Sequence, residues 1–185
     1  MDTVPDQLAA LSLPDADDKK VRLGDLWADK PAAFVFIRHF GCPSCRAQVT
    51  QLRNDVPTIT GLGATLVLVG NGAPHFARAF REEIGLDCPI LCDTDKKAYG
   101  MLGMHYGRGT LLTPGSAWAT ARSMAKGFMP KGQQGDRFQQ GGVLVVARGG
   151  RVLLSHQCKD SNDTLHPNVI IHALKAGTGS TYSTA

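Results

Sequence analysis

The sequence predicts an α/β fold: a mixed central sheet with helices on both faces and an N-terminal hairpin extension. Three observations carry this. Short continuous apolar runs of strand length, Ala33–Ile37 and Ala64–Val69, suit strands covered on both faces. Helical patterns opened by proline, at Pro43 and Pro74, follow each of them. A late pair of strands is joined by Gly149-Gly150, which supplies antiparallel edges to a sheet whose first strands are parallel.

In chain order, Leu11-Ser12-Leu13 and Val21-Arg22-Leu23 flank a turn-forming stretch and read as a small hairpin, followed by a helical turn at Gly24–Trp27. After the first buried strand, a helix is expected from Pro43 to about Asp55, with Val49 and Leu52 inward and Pro57 just beyond its end. Ala64–Val69 is the second strand. The next helix starts at Pro74, carries His75, Phe76, Ala79, Phe80 and Ile84 at helical spacing, and stops at Gly85. Pro89–Cys92 is a short third strand, and a brief helix follows through Tyr99–Leu102. From Pro114 another helix is expected to turn Trp118, Ala121, Ala125 and Phe128 into the core, leaving Arg122 and Lys126 solvated. Strands Val143–Ala147 and Val152–Ser155 and a helix at Asn168–Lys175 complete the fold. No repeat or linker divides the chain, so residues 1–176 read as one domain and 177–185 as a frayed Gly/Ser/Thr-rich tail.

The chain has 185 residues, 43% hydrophobic and 19% charged, with a net charge of +4, which is the balance of a soluble globular protein. Basic residues dominate from Met104 to Arg151, yet without the interleaved aromatics of a nucleic-acid surface, so small anions are the expected partners of that face. Gly107-Arg108-Gly109 lacks the helix start and Lys-Ser/Thr of a phosphate loop. No run is long enough to span a bilayer, and Met1–Asp6 lacks the basic and apolar regions of a signal peptide. Five cysteines, an odd number, argue for free thiols in a reducing cytoplasm. Neither nucleic acid, membrane, metal nor cofactor is expected.

Cys42-Pro43-Ser44-Cys45 is the motif that carries chemistry. It falls where the first buried strand ends and a helix begins. The free N–H groups and dipole of a helix start favour an anion, so a thiolate there has a lowered pKa. A second thiol one turn on can attack a mixed disulfide formed on the first, as thiol–disulfide exchange requires. A zinc half-site is the competing reading. Cys88 and Cys92 could complete four ligands, but Cys92 lies in an apolar strand and C-x-x-C beside a βαβ pattern reads as redox. Another alternative is a non-catalytic binding module whose cysteines form a redox-sensitive latch.

The segment Phe36–Arg46 resembles the thiol site of peroxiredoxin-like AhpC/TSA proteins, and most closely the peroxiredoxin-like 2 group with its C-x-x-C after an Arg-His-Phe strand end. Leu23–Trp27, Pro89–Tyr99 and Gln134–Gly142 are also similar to family segments, so the likeness runs from about Leu11 to Leu174. It implies a thioredoxin-like fold and an antioxidant thiol oxidoreductase. The substrate would be a peroxide, an endoperoxide or a disulfide, and the electrons would come from a thioredoxin- or glutathione-type donor. Peroxiredoxins carry Pro and Thr seven and three residues before the peroxidatic cysteine. Here those positions hold Arg38 and Cys42 before Cys45, or Val35 and His39 before Cys42. The cis-proline place of thioredoxins corresponds to Gly141-Gly142.

Cys42 and Cys45 are thus the candidate catalytic residues, with Cys42 expected to face solvent and attack, and Cys45 to lie deeper and resolve. Supporting roles fall to His39 as a proton carrier, Arg46 as a partner for the thiolate or a substrate anion, and Pro43, Ser44 and Gly141 as framework. Strand alternation sends Arg38 to the face opposite His39. Cys88, Cys92 and Cys158 read as buried small residues, with Cys158 the outside candidate for a second resolving thiol.

Overall fold

The computed structural model describes residues 2–107, 109, 113–161 and 163–177. In order, its elements are α1 (Asp6–Ala10), β1 (Ser12–Pro14), β2 (Lys20–Arg22), a 3₁₀ turn (Leu23–Leu26), β3 (Ala32–Phe36), α2 (Pro43–Arg53), α3 (Val56–Gly61), β4 (Thr65–Gly70), α4 (Pro74–Ile84), β5 (Ile90–Cys92), α5 (Lys97–Met101), α6 (Pro114–Ala125), β6 (Gly142–Val146), β7 (Val152–Gln157) and α7 (Pro167–Gly177). The five-stranded sheet runs β5-β4-β3-β6-β7; β3, β4 and β5 are parallel, and β6 and β7 are antiparallel additions. This is the mixed α/β sheet that the apolar runs and the glycine hairpin predict. β1 and β2 form the expected N-terminal hairpin.

β3 is buried on both faces, and its residues alternate strictly between two cores. Ala33, Val35 and Ile37 join a core with residues of α2, α3, α4 and α7. Ala32, Phe34 and Phe36 join the opposite core, with Leu8, Leu13, Leu23 and the α5 residues Ala98 and Tyr99. Burying a large apolar side chain contributes about 1.5–3 kcal/mol, so the two cores fix β3 as the axis of the molecule. Tyr99 ties the ends of the central strands together: its hydroxyl donates toward the carbonyls of Ile37 at 2.6 Å and Val69 at 3.1 Å.

Four local expectations are corrected. The five-residue α1 falls where no helix is expected. Pro57 lies past the end of α2, as expected, but in the first turn of a further helix, α3, where none is expected and where its missing N–H costs nothing. On α4 the inward residue is Ala77, and Ala79 is exposed. The largest correction is α6. Trp118 is 65% exposed, Ala121 and Ala125 are exposed, and Ser116, Ala119 and Ser123 are buried instead. The serine side can face inward because its hydroxyls are satisfied: Ser123 donates to the Ala119 carbonyl at 2.8 Å, and Ser116 pairs with Thr113 and Ser161. Small side chains there let α6 pack on α2. The expected tail from residue 178 and Arg108 of the glycine-flanked segment lie outside the described residues.

Candidate active site

Past Phe36 the chain leaves the sheet. Ile37 makes one more strand-like bond, its N–H to the Val69 carbonyl, and Cys42 N–H then closes a turn on the His39 carbonyl at 3.2 Å. Cys42 has extended backbone angles (φ −75°, ψ 122°) and is the N-cap of α2, with Pro43 at the start of the helix as expected. Its sulfur accepts the Cys45 backbone N–H at 3.3 Å, the bond a serine or threonine cap ordinarily makes.

The same sulfur accepts a second donor. Arg38 Nη2 lies 3.0 Å from Cys42 Sγ, and Arg38 is itself buried. The strand alternation that would send Arg38 to the other face does not apply, because the strand ends two residues earlier and the turn carries the guanidinium back over the helix start. No carboxylate pairs with Arg38 among the described residues, so the sulfur is the group that can neutralise it. The consequence is a split between the two thiols. A hydrogen bond from the Cys45 thiol, the Arg38 charge and the helix-start N–H outweigh burial and lower Cys42 to about 6. Cys45, giving that hydrogen bond and lying buried beside the Cys42 charge, is raised well above the ordinary thiol value.

The expected accessibility is reversed. Cys42 is 0% exposed and Cys45 7% exposed. A segment from Lys131 to Gly135 crosses the turn: Lys131 N–H bonds the Gly41 carbonyl at 3.2 Å, and Phe40 N–H bonds the Gln134 carbonyl at 3.2 Å. A side chain on Gly41 would meet the Gly132 carbonyl oxygen at 2.5 Å, so glycine is what lets the segment lie this close. Asn71 and Asp136 anchor the segment reciprocally, through the Asn71 amide to the Asp136 carbonyl and the Asp136 N–H to Asn71 Oδ1.

Two other expectations change. Arg46 does not reach the thiols; it pairs with Glu83 on α4, which also takes Lys131 at 2.7 Å. His39 is buried with Nδ1 unpartnered, and burial followed by the charges of Arg38 and Arg137 lowers it to about 4. It is neutral at pH 7 and makes no hydrogen bond to either sulfur. Gly141 and Cys158 do lie near the thiols. They line a small cavity of about 20 Å³ with Arg38, Ser44 and Cys45. A Cβ on Gly141 would strike the Phe36 carbonyl oxygen. Burial pushes Cys158 up to about 12, as it does Cys88 and Cys92. Among the described residues no three His, Cys, Asp or Glu side chains are placed to hold a metal, and no helix is long and apolar enough to cross a membrane. Arg38 is the residue that sequence reasoning misses. The signal available is its place four residues before the cap, within reach once the chain turns.

A family model described as AhpC/TSA antioxidant enzyme matches residues 51–160, beginning just after the thiol turn. A prostamide/prostaglandin F synthase of Salmo salar is 30% identical over 80% of this chain and 76% of its own length. A thioredoxin-like protein, AAED1, of Arabidopsis thaliana is 29% identical over 78% of this chain, which spans 61% of that relative. Peroxiredoxin-like 2C of Mus musculus is 27% identical over 84% of this chain and 74% of its own length. Among solved structures, peroxidoxin BcpB of Mycobacterium tuberculosis superposes with a TM-score of 0.68 at 21% identity, covering 95% of this chain and 97% of that one. Peroxiredoxin Q of Xanthomonas campestris gives 0.71 at 15% identity, covering 95% and 98%. The fold is that of the peroxiredoxin-like, thioredoxin-like proteins, and the chain belongs to the AhpC/TSA antioxidant enzyme family.

Proposed function

We propose that the protein is a thiol-dependent oxidoreductase that cycles Cys42 and Cys45 between dithiol and disulfide to reduce a peroxide, an endoperoxide or a disulfide. The observation that carries this reading is the buried Arg38 guanidinium 3.0 Å from Cys42 Sγ at the start of α2. It keeps one sulfur anionic at neutral pH and hence nucleophilic.

With a hydroperoxide, the Cys42 thiolate attacks the outer oxygen and the O–O bond breaks. The departing alkoxide takes a proton and leaves as an alcohol, and Cys42 becomes a sulfenic acid. The Cys45 thiol then attacks that sulfur, forming the disulfide and releasing water. An external thiol donor of the thioredoxin or glutathione type supplies two electrons and two protons to restore both thiols. Arg38 acts where Cys42 is anionic: in the thiolate that attacks, and in the thiolate released when the disulfide is reduced. The odd number of cysteines, five, fits a reducing cytoplasmic setting.

The test is steady turnover: oxidation of a thioredoxin or glutathione system on addition of hydrogen peroxide or cumene hydroperoxide, with peptide mapping after diamide treatment. Continuous donor consumption and a Cys42–Cys45 link are expected. A single stoichiometric oxidation, or pairing of Cys42 with Cys158, would refute the cycle.

A further inference from the structure

Cys45 lines a small cavity, and the fully enclosed Cys42 lines neither it nor its larger neighbour. The 20 Å³ cavity at Cys45 has room for about one water molecule. Ser44, Gln48, Ser161 and Thr164 line both this cavity and a larger one of about 200 Å³ between α2, α6 and α7. The larger cavity has an apolar floor that includes Leu52, Ala119 and Ile170, and its rim carries Arg122, Lys126 and His166. No carboxylate lines it; Asp160 lines the smaller cavity, where its oxygens accept from the Thr113 hydroxyl and the Asp163 N–H. Arg122 and Lys126 stand four residues apart on one face of α6, and neither has a carboxylate partner among the described residues. Ser44 Oγ is buried and has no partner, at the junction of the two spaces. The shared lining thus sets an anion-attracting mouth next to a small space beside Cys45.

We propose that a path through these two spaces admits the reductant, and that the reductant is a small carboxylate-bearing thiol: its carboxylate meets Arg122 and Lys126, and its sulfur reaches Cys45. This deepens the redox reading above and rests on it. In the oxidised protein the incoming thiolate attacks Cys45 Sγ, forming a mixed disulfide. The Cys45–Cys42 bond breaks and its electron pair goes to Cys42, the sulfur that Arg38 and the helix start hold as an anion, so the better leaving group departs. A second molecule of the same thiol attacks the small-molecule sulfur of the mixed disulfide. It releases Cys45, which takes a proton, and the two reductant molecules leave joined as their disulfide. Two thiols are oxidised and one protein disulfide is reduced. A protein dithiol is disfavoured as donor because Cys42 is fully enclosed and the buried Cys45 borders only a small cavity among those described.

The experiment starts from protein oxidised with diamide, in which the Cys42–Cys45 link is verified by peptide mapping. Its reduction is then timed with glutathione, with glutathione diethyl ester and with thioredoxin. Glutathione should reduce the link roughly tenfold faster than its ester, in keeping with electrostatic guidance of an anion. An Arg122→Ala/Lys126→Ala variant should abolish that advantage by slowing glutathione while not slowing the cationic ester. Equal rates for glutathione and ester, or thioredoxin reducing far faster than glutathione with no effect of the variant, would overturn the proposal while the thiol cycle stands. Absence of the Cys42–Cys45 link would overturn both.

Discussion

Helices α2 and α5 meet the same difficulty at their starts with different atoms. A helix start has N–H groups with no partner in the helix. At α5 the answer is an oxygen anion: the Asp93 carboxylate, 1% exposed, accepts from the N–H groups of Lys97 at 3.0 Å, Ala98 at 2.8 Å and Tyr99 at 3.4 Å. Burial raises its pKa, and these three donors oppose the rise. At α2 the answer is a sulfur, which takes one backbone N–H, the Cys45 thiol and the Arg38 guanidinium. The carboxylate's three donors are all N–H groups of its own helix, so it fastens that helix. The thiolate takes only one helix N–H, and its other donors, the Arg38 guanidinium and the Cys45 thiol, hold negative charge on a nucleophilic sulfur. The same local physics gives a structural cap in one place and a nucleophile in the other.

Exchanging atoms at these caps should separate fastening from reactivity. The largest effect is expected for Cys42→Ser. Turnover should fall more than about 100-fold because the hydroxyl is not ionised, and stability should fall by about 1–3 kcal/mol, because serine keeps the N-cap bond but leaves the buried Arg38 charge without its counter-charge. Peroxide-dependent donor oxidation and thermal unfolding of the same preparation would check both halves; unchanged stability would mean that Arg38 does not depend on the thiolate charge.

Next comes Arg38→Met, which keeps the bulk and removes the charge. The folded pKa of Cys42 is depressed, so the thiolate is present above about pH 6 and is lost as pH falls through that value. Without Arg38 the midpoint should move up toward the ordinary thiol value. Each unit of that move is tenfold in thiolate at a pH below the midpoint, so alkylation by iodoacetamide at pH 6 should slow by about tenfold or more. An unchanged pH profile would show that the helix start alone suffices.

The smallest effect on chemistry belongs to Asp93→Ala. It strips three N–H groups of their acceptor and should cost about 1–3 kcal/mol in chemical denaturation. The pH profile of Cys42 alkylation should stay where it is, since Asp93 is not among the groups that shift that thiol. A displaced profile would mean that α5, acting through Tyr99 on the end of β3, helps to position the thiol turn.

Much of the scaffold is legible in the amino-acid sequence. β3 and β4 announce themselves as continuous apolar runs, Pro43 and Pro74 mark helix starts, and Gly85 ends α4 in the left-handed conformation its place suggests. The thiol pair is legible for the same reason: C-x-x-C at a strand-to-helix junction has a meaning set by local geometry. What cannot be read is set at long range. Arg46, next to Cys45 in sequence, is the obvious cation for the site, but Glu83 on another helix claims it. The enclosure of Cys42 depends on the Lys131–Gly135 segment, far along the chain, and no local pattern shows where that segment crosses. On α6 both faces carry small or apolar residues, so periodicity alone does not tell that satisfied serines turn inward and leave Trp118 outside.

The strand order also governs when the thiols become safe. Phe36, at the end of the strand that leads to Cys42, pairs with Gly142, over half the chain away. Contacts of such separation form slowly, because loop-closure entropy must be overcome before they stabilise anything. Until β6 docks on β3 and the segment before it closes over Gly41, the cysteines of the emerging chain lie open to one another and to any oxidant. The order of events is therefore fixed: the chain has to fold while reduced, and only the finished fold sorts one sulfur from four others.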